Sequence, residues 1–81
     1  MLQPNYPEAA RKRGEEGRAL LKVEVLVNGR AGQVKVEESS GFASLDEAAL
    51  KTVKSWRFTP GLKGRENIAC WINIPIGFKL R

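Results

Sequence analysis

NIACWINIPIGFKL, residues Asn67 to Leu80, sets an apolar side chain at every second position: Ile68, Cys70, Ile72, Ile74, Ile76, Phe78 and Leu80. That is the period of a strand with one face on a core and the other facing out. At about 3.3 Å per residue the run would extend roughly 40 Å, well past the usual strand, so part of it is expected to project beyond its neighbours. Pro75 sits in its middle. Proline has no N–H for a ladder and is found in sheets mainly on edge strands or at bulges, so this strand is expected to keep one open side. That open side is the candidate functional surface.

Upstream, Pro60-Gly61 and a polar run to Asn67 read as a loop. Before it, Leu45, Ala49, Val53 and Trp56 lie at helical spacing with Ala48 and Thr52 alongside, while Glu47, Lys51, Lys54 and Ser55 point away. The spacing predicts an amphipathic helix from Ser44 to Trp56, opened by a capping box between Ser44 and Glu47. Further back, Ala19 to Val27 reads as a central strand. Leu21, Val23, Val25 and Val27 take one face; Leu20, Lys22, Glu24 and Leu26 take the other. Asn28-Gly29 signals a hairpin, and the Val34, Val36 alternation returns as a second strand. Arg30 to Gly32 leaves room for a longer loop or a bulge, so the register stays open.

Near the start, Pro7 suits the first position of a short helix that Gly14 would stop, with Tyr6, Ala9, Ala10 and the stem of Arg13 as its buried contacts. Residues 1–6 read as the end of a linker and residues 7–81 as the domain. The expected fold is α+β, a three-stranded antiparallel sheet in the order 2-1-3 with two helices on one face. The second and third strands would be joined by a right-handed crossover. The helices would cover Val23, Val25, Val34, Val36, Ile72 and Ile74, leaving the third strand as an edge.

Bulk properties narrow the function classes. Eighty-one residues make one small domain, too small for a large cleft. With one cysteine and no histidine, neither an internal disulfide nor a common zinc ligand set can be built. Cys70 shares the parity of the core isoleucines and reads as a small buried hydrophobe. No residue set suggests catalysis, a metal or a cofactor, so the reading is not an enzyme. A net charge of +5 favours acidic partners, but the basic residues are dispersed, as on a solvated surface. A nucleic-acid-binding module is the runner-up on charge and Trp71. It lacks the paired stacking aromatics that a sheet-based RNA reader needs, so no nucleic acid is expected.

The order of these pieces resembles a known family. QPNYPEAAR, EGRALLKVEV, NGR, VKVEESSG and LDEAALKTVKSWRFTPG, in this order from about Gln3 to Leu80, are similar to the C-terminal domain of TonB, an energy transducer of Gram-negative bacteria. The resemblance implies the same sheet with two helices on one face. It implies a periplasmic domain at the end of a Pro-rich linker, anchored in the inner membrane by an N-terminal helix that associates with ExbB and ExbD. It also implies binding of the TonB box of outer-membrane receptors and transmission of work from the proton-motive force, for iron-siderophore, haem or similar cargo. A TolA-like envelope adaptor using the same edge is the nearer alternative.

The expected mode is strand addition. If even residues of the last strand pair with the first, the free edge presents Ala69, Trp71, Asn73 and Gly77, with Pro75 unable to donate. Trp71 has two readings, a contact platform or a cover for the outer face beside Leu20 and Leu26. Gln3 matches a glutamine that the family associates with receptor contact, and with Tyr6 forms the lead-in candidate. A long open final strand also fits a strand-exchanged homodimer.

Overall fold

The computed structural model describes residues 6–80 and has the order α1 (Glu8–Lys12), β1 (Gly17–Val25), β2 (Ala31–Glu38), α2 (Ala43–Lys54), β3 (Gly61–Lys63), β4 (Glu66–Ile68) and β5 (Cys70–Phe78). The main sheet is antiparallel in the order β2-β1-β5, the expected 2-1-3 arrangement. Gln3 and residues 1–5 of the expected linker lie outside the described residues.

β1 is central because one of its faces is wholly apolar: Ala19, Leu21, Val23 and Val25 are buried. Against it pack Leu45, Ala49 and Val53 of α2, Ala10 of α1, and Ile76 and Phe78 of β5. The helical spacing of Leu45, Ala49 and Val53 delivers all three to one stripe. Ala9, expected inside, is exposed. Val27 and Val36, also expected on the core face, are 55% and 36% exposed. Val27 lies beyond the end of β1, and Val36 lies on the outer strand next to a register shift.

The β1–β2 hairpin is not a two-residue Asn-Gly turn. Gly29 N–H donates to the Leu26 carbonyl and Leu26 N–H to the Arg30 carbonyl, which makes Val27-Asn28-Gly29 a three-residue loop. Gly29 takes the left-handed position such loops require, φ 83°, and a side chain there would stand 2.6 Å from the Phe58 carbonyl oxygen. That carbonyl belongs to the extended exit from α2, whose Phe58 N–H donates to Gly29 O at 2.7 Å. The open register resolves into two shifts in β2, one of them between the pairs Val23–Val34 and Val25–Ala31. There the Gln33 amide is satisfied by the Glu24 carboxylate at 3.2 Å.

The capping box does not form. α2 starts at Ala43 behind Phe42, with no side-chain cap; Ser44 donates to Glu15 Oε1 at 2.8 Å, and Glu47 pairs instead with Lys51 at 3.4 Å. A longer-range partner outcompeted the local one. The turn into the helix is held by Asp46, which accepts the Ser40 amide at 2.8 Å and the hydroxyls of Ser39 and Ser40. α1 ends as expected at Gly14, with Gly14 N–H bonded to Arg11 O and Glu15 N–H to Ala10 O, the paired bonds of a Schellman cap. Trp56 falls beyond α2 and is half-buried, tilted against Phe58.

The expected single long strand is two elements. Its first residues pair back on the supposed loop: Gly61, Leu62 and Lys63 register with Ile68, Asn67 and Glu66 across the two-residue turn Gly64-Arg65. Gly64 at φ 63° supplies the positive angle of that turn. Chain order therefore inserts a small separate hairpin before β5.

Candidate functional site

β5 pairs with β1 over nine consecutive residue pairs, from Gly17–Phe78 to Val25–Cys70, without a register shift. Pro75 lies inside this ladder, opposite Leu20. A residue without an N–H is accommodated in an unbroken ladder where its nitrogen faces away from the partner. In an antiparallel strand the N–H and C=O of one residue point to the same side, and alternate residues point to opposite sides. The odd residues of β5 thus aim their backbone groups at the free edge. Leu80, of even parity just beyond the strand, donates its N–H to Glu16 Oε1 at 2.6 Å on the β1 side, in keeping with this phase.

Trp71, Asn73 and Gly77 therefore carry outward N–H groups, and Pro75 leaves one gap. All four are exposed. Ala69 is exposed too, but it lies between β4 and β5 and belongs to neither strand, because the hairpin takes up Ile68. It flanks the edge. Tyr6 is part of the folded body, one residue ahead of the expected domain start. Its hydroxyl donates to the Glu15 carbonyl and its ring meets Phe78 edge-on at 5.4 Å. Burial, then the Glu16 carboxylate, raises the Tyr6 phenol above its ordinary pKa.

The two faces of the edge differ. On the helix side, Cys70, Ile72 and Ile74 are half-buried, whereas Ile76 and Phe78 are buried. α2 lies over β2 and β1, so the upper part of β5 keeps an apolar shelf that a further strand would cover. Cys70, expected as a small buried hydrophobe, is half-buried on this shelf. On the other face, Trp71 is 43% exposed, with Lys22 Nζ 5.6 Å and Lys35 Nζ 5.7 Å from its ring centroid. The sequence reading placed Trp71 on this face but counted both lysines as dispersed surface charge. Lys22 and Trp71 each fall on the helix-free face of their own strand, a signal legible in the alternation; for Lys35 the proximity is hidden by the unfixed register of β2.

Among the described residues, no cluster of His, Cys, Asp and Glu that could hold a metal ion is present, and no helix is long and apolar enough to cross a membrane. The arrangement is a sheet edge with an apolar shelf on one side and an aromatic-cationic patch on the other.

Residues 2–80 match the model of a family described as Gram-negative bacterial TonB protein C-terminal. The chain is 46% identical over 77 residues to the protein tonB2 of Pseudomonas aeruginosa, covering 95% of this chain and 28% of that protein. With the TonB protein of Vibrio cholerae it shares 39% over 79 residues, 98% of this chain and 32% of the relative. The chain thus spans about a third or less of these relatives. The solution NMR structure of the Pseudomonas aeruginosa TonB C-terminal domain superposes with a TM-score of 0.81 at 30% identity, covering 99% of this chain and 81% of that one. The Helicobacter pylori domain (residues 179–285) does so at 0.74 and 28% identity, covering 96% and 70%.

Proposed function

The chain belongs to the Gram-negative bacterial TonB C-terminal family, and from that premise we propose that it binds an extended segment, the TonB box of an outer-membrane receptor, by strand addition along β5. In this reading the domain works by binding and not by catalysis. It lies in the periplasm at the end of a spacer that precedes Tyr6. The full-length protein is anchored in the inner membrane, associates with ExbB and ExbD, and passes work from the proton-motive force to the receptor for uptake of iron-siderophore, haem or similar cargo.

The observation that carries the reading is the unbroken nine-residue ladder through Pro75, which turns the odd backbone groups of β5 outward. A docked strand would bond to Trp71, Asn73 and Gly77, lose one bond at Pro75, and continue past Ala69 toward the small hairpin. Each added bond contributes about 1 kcal/mol net, which barely offsets an association cost of several kcal/mol. A box peptide alone therefore binds no tighter than about micromolar. Side chains on the apolar shelf and on the Trp71 face supply the selectivity. Gln3 and Tyr6 are secondary contacts in this proposal, Tyr6 through the rim of a ring that is otherwise engaged with Phe78.

An NMR titration of the labelled chain with a box peptide tests this. Amide shifts are expected over residues 67–78, largest at Trp71, Asn73 and Gly77. Shifts confined to the exposed faces of α1 and α2, or no shifts, would sink the reading.

A further inference from the structure

Lys35, Lys22 and Asn73 form one straight row across the helix-free face, since Lys22 registers with Lys35 on one side and with Asn73 on the other. Two like charges directly opposite each other on paired strands destabilise a sheet. Among the described residues neither ammonium has a carboxylate within 4.0 Å; the ion pairs there are Lys12–Glu8, Arg13–Glu15 and Lys51–Glu47. Of the acidic residues beside them in the sheet, Glu24 opposite Trp71 is engaged with the Gln33 amide, and Glu37, two residues beyond Lys35, has no ion pair within 4.0 Å among the described residues. What the lysines share is the Trp71 ring, which holds both by cation–π attraction. An uncompensated pair of cations beside a half-exposed indole, next to an open edge, is complementary to one negative charge.

We propose that Lys22, Lys35 and Trp71 read an acidic side chain carried on the helix-free face of the strand that docks along β5, at the position opposite Asn73 or its neighbour opposite Trp71. The inference rests on the strand-addition reading and specifies the chemistry it selects. A residue docked opposite Asn73 extends the row Lys35–Lys22–Asn73. Its Cα stands two strand spacings, about 10 Å, from that of Lys22, a gap that a lysine and a glutamate reaching toward each other span over Asn73. The indole supplies a flat apolar wall for the methylenes of the acid and keeps the ammoniums from spreading apart. On the opposite face the same strand would set apolar residues against Ile72 and Ile74, so the selected segment alternates apolar and polar, with the acid on the polar side.

The test uses the 81-residue chain and pairs of extended valine-threonine peptides that differ only by Glu or Gln, walked along the sequence. Binding is followed by β5 amide shifts and by Trp71 indole fluorescence and N–H shift. Both members of a pair should shift β5 amides. At one register the Glu peptide should bind about five- to tenfold tighter at low salt, as two partly exposed ion pairs allow. High salt and Lys22→Gln/Lys35→Gln should abolish the difference, and Lys22→Arg/Lys35→Arg should retain it. β5 shifts with equal Glu and Gln affinities at every register would overturn the charge selection and leave strand addition standing. No β5 shift with either peptide would overturn both. Saturation of the Trp71 signal by anionic vesicles or a short oligonucleotide, with Glu and Gln peptides tied, would make the cluster a phosphate site and overturn the proposal.

Discussion

The sheet has two outer strands, and they are built differently. β2 shifts register twice against β1 within eight residues and carries Lys35, Glu37 and Glu38 on a strand with no fully buried residue. β5 runs through nine pairs without a shift and buries Ile76 and Phe78. Bulges and charges twist and blunt an edge against another chain. An edge that stays regular keeps its outward groups in line for one. The difference singles out β5 as the regular, uninterrupted edge, because the same central strand supports both sides.

Removing that shared support has the largest expected effect. Leu21 is fully buried and opposes Val36 on one side and Ile74 on the other. Leu21→Ala should cost about 2–5 kcal/mol in urea denaturation, a large share of the stability of a small domain. It should lower exchange protection on β2 and β5 alike, since the contrast between the edges depends on an intact β1. Protection lost on one edge only would mean that the strands are stabilised independently.

The assignment of parity on β5 is broken or sharpened by a pair of prolines. Ile74→Pro removes an inward N–H and leaves a β1 carbonyl without its partner, at about 1–3 kcal/mol. Asn73→Pro removes only an outward N–H, so stability should hardly change while peptide affinity falls. Thermal melts and the peptide titration read the two outcomes. The reverse pattern would exchange the faces of the strand.

The alternation from Ile68 to Leu80, with Pro75 among the odd positions, made the edge legible because period and parity are local. The order 2-1-3 followed from which strand was apolar on one face and half apolar on the other. What stayed hidden depended on contacts between distant segments. Ser44 offered a plausible local partner in Glu47 and instead bonds Glu15 at the end of the first helix. The β3–β4 hairpin has strands of three residues, too short for alternation to register, so its turn read as a loop and Ala69 read as strand. The arrival of Lys35 beside Lys22 and Trp71 required the register of β2, which its bulges conceal.

A smaller effect separates the edges by pH. Asp46 sits where β2 hands over to α2. Burial pushes its carboxyl pKa up, but the bonds from Ser39 and Ser40 outweigh this and hold it below the ordinary value. Glu15 is likewise lowered, first by Arg13 and then by Ser44. Carboxyls with folded pKa values below the unfolded ones stabilise the fold above the usual carboxylate range, near pH 4, and lose that contribution as pH falls through the folded values. Acid should therefore loosen the β2–α2 junction before β5. Asp46→Asn should cost about 1–2 kcal/mol at neutral pH and flatten the acid limb of the stability profile. An unchanged acid limb would remove Asp46 from the account.

The least perturbing change bears most directly on the free edge of β5. Pro75→Thr restores one N–H on the free side of β5 and alters no bond to β1, since Pro75 contributes no donor to that ladder. Stability should stay within about 0.5 kcal/mol, while affinity for an extended peptide rises by about one backbone bond, roughly fivefold. The same donor makes the edge more accommodating to a second copy of the chain, so sedimentation should show more dimer at high concentration, displaced by added peptide. If Pro75 guards the edge against self-pairing, the two gains arise together from one group. Tighter peptide binding with no change in self-association would separate the docking role of the edge from its protection, and a loss of stability would place the proline nitrogen on the inner side.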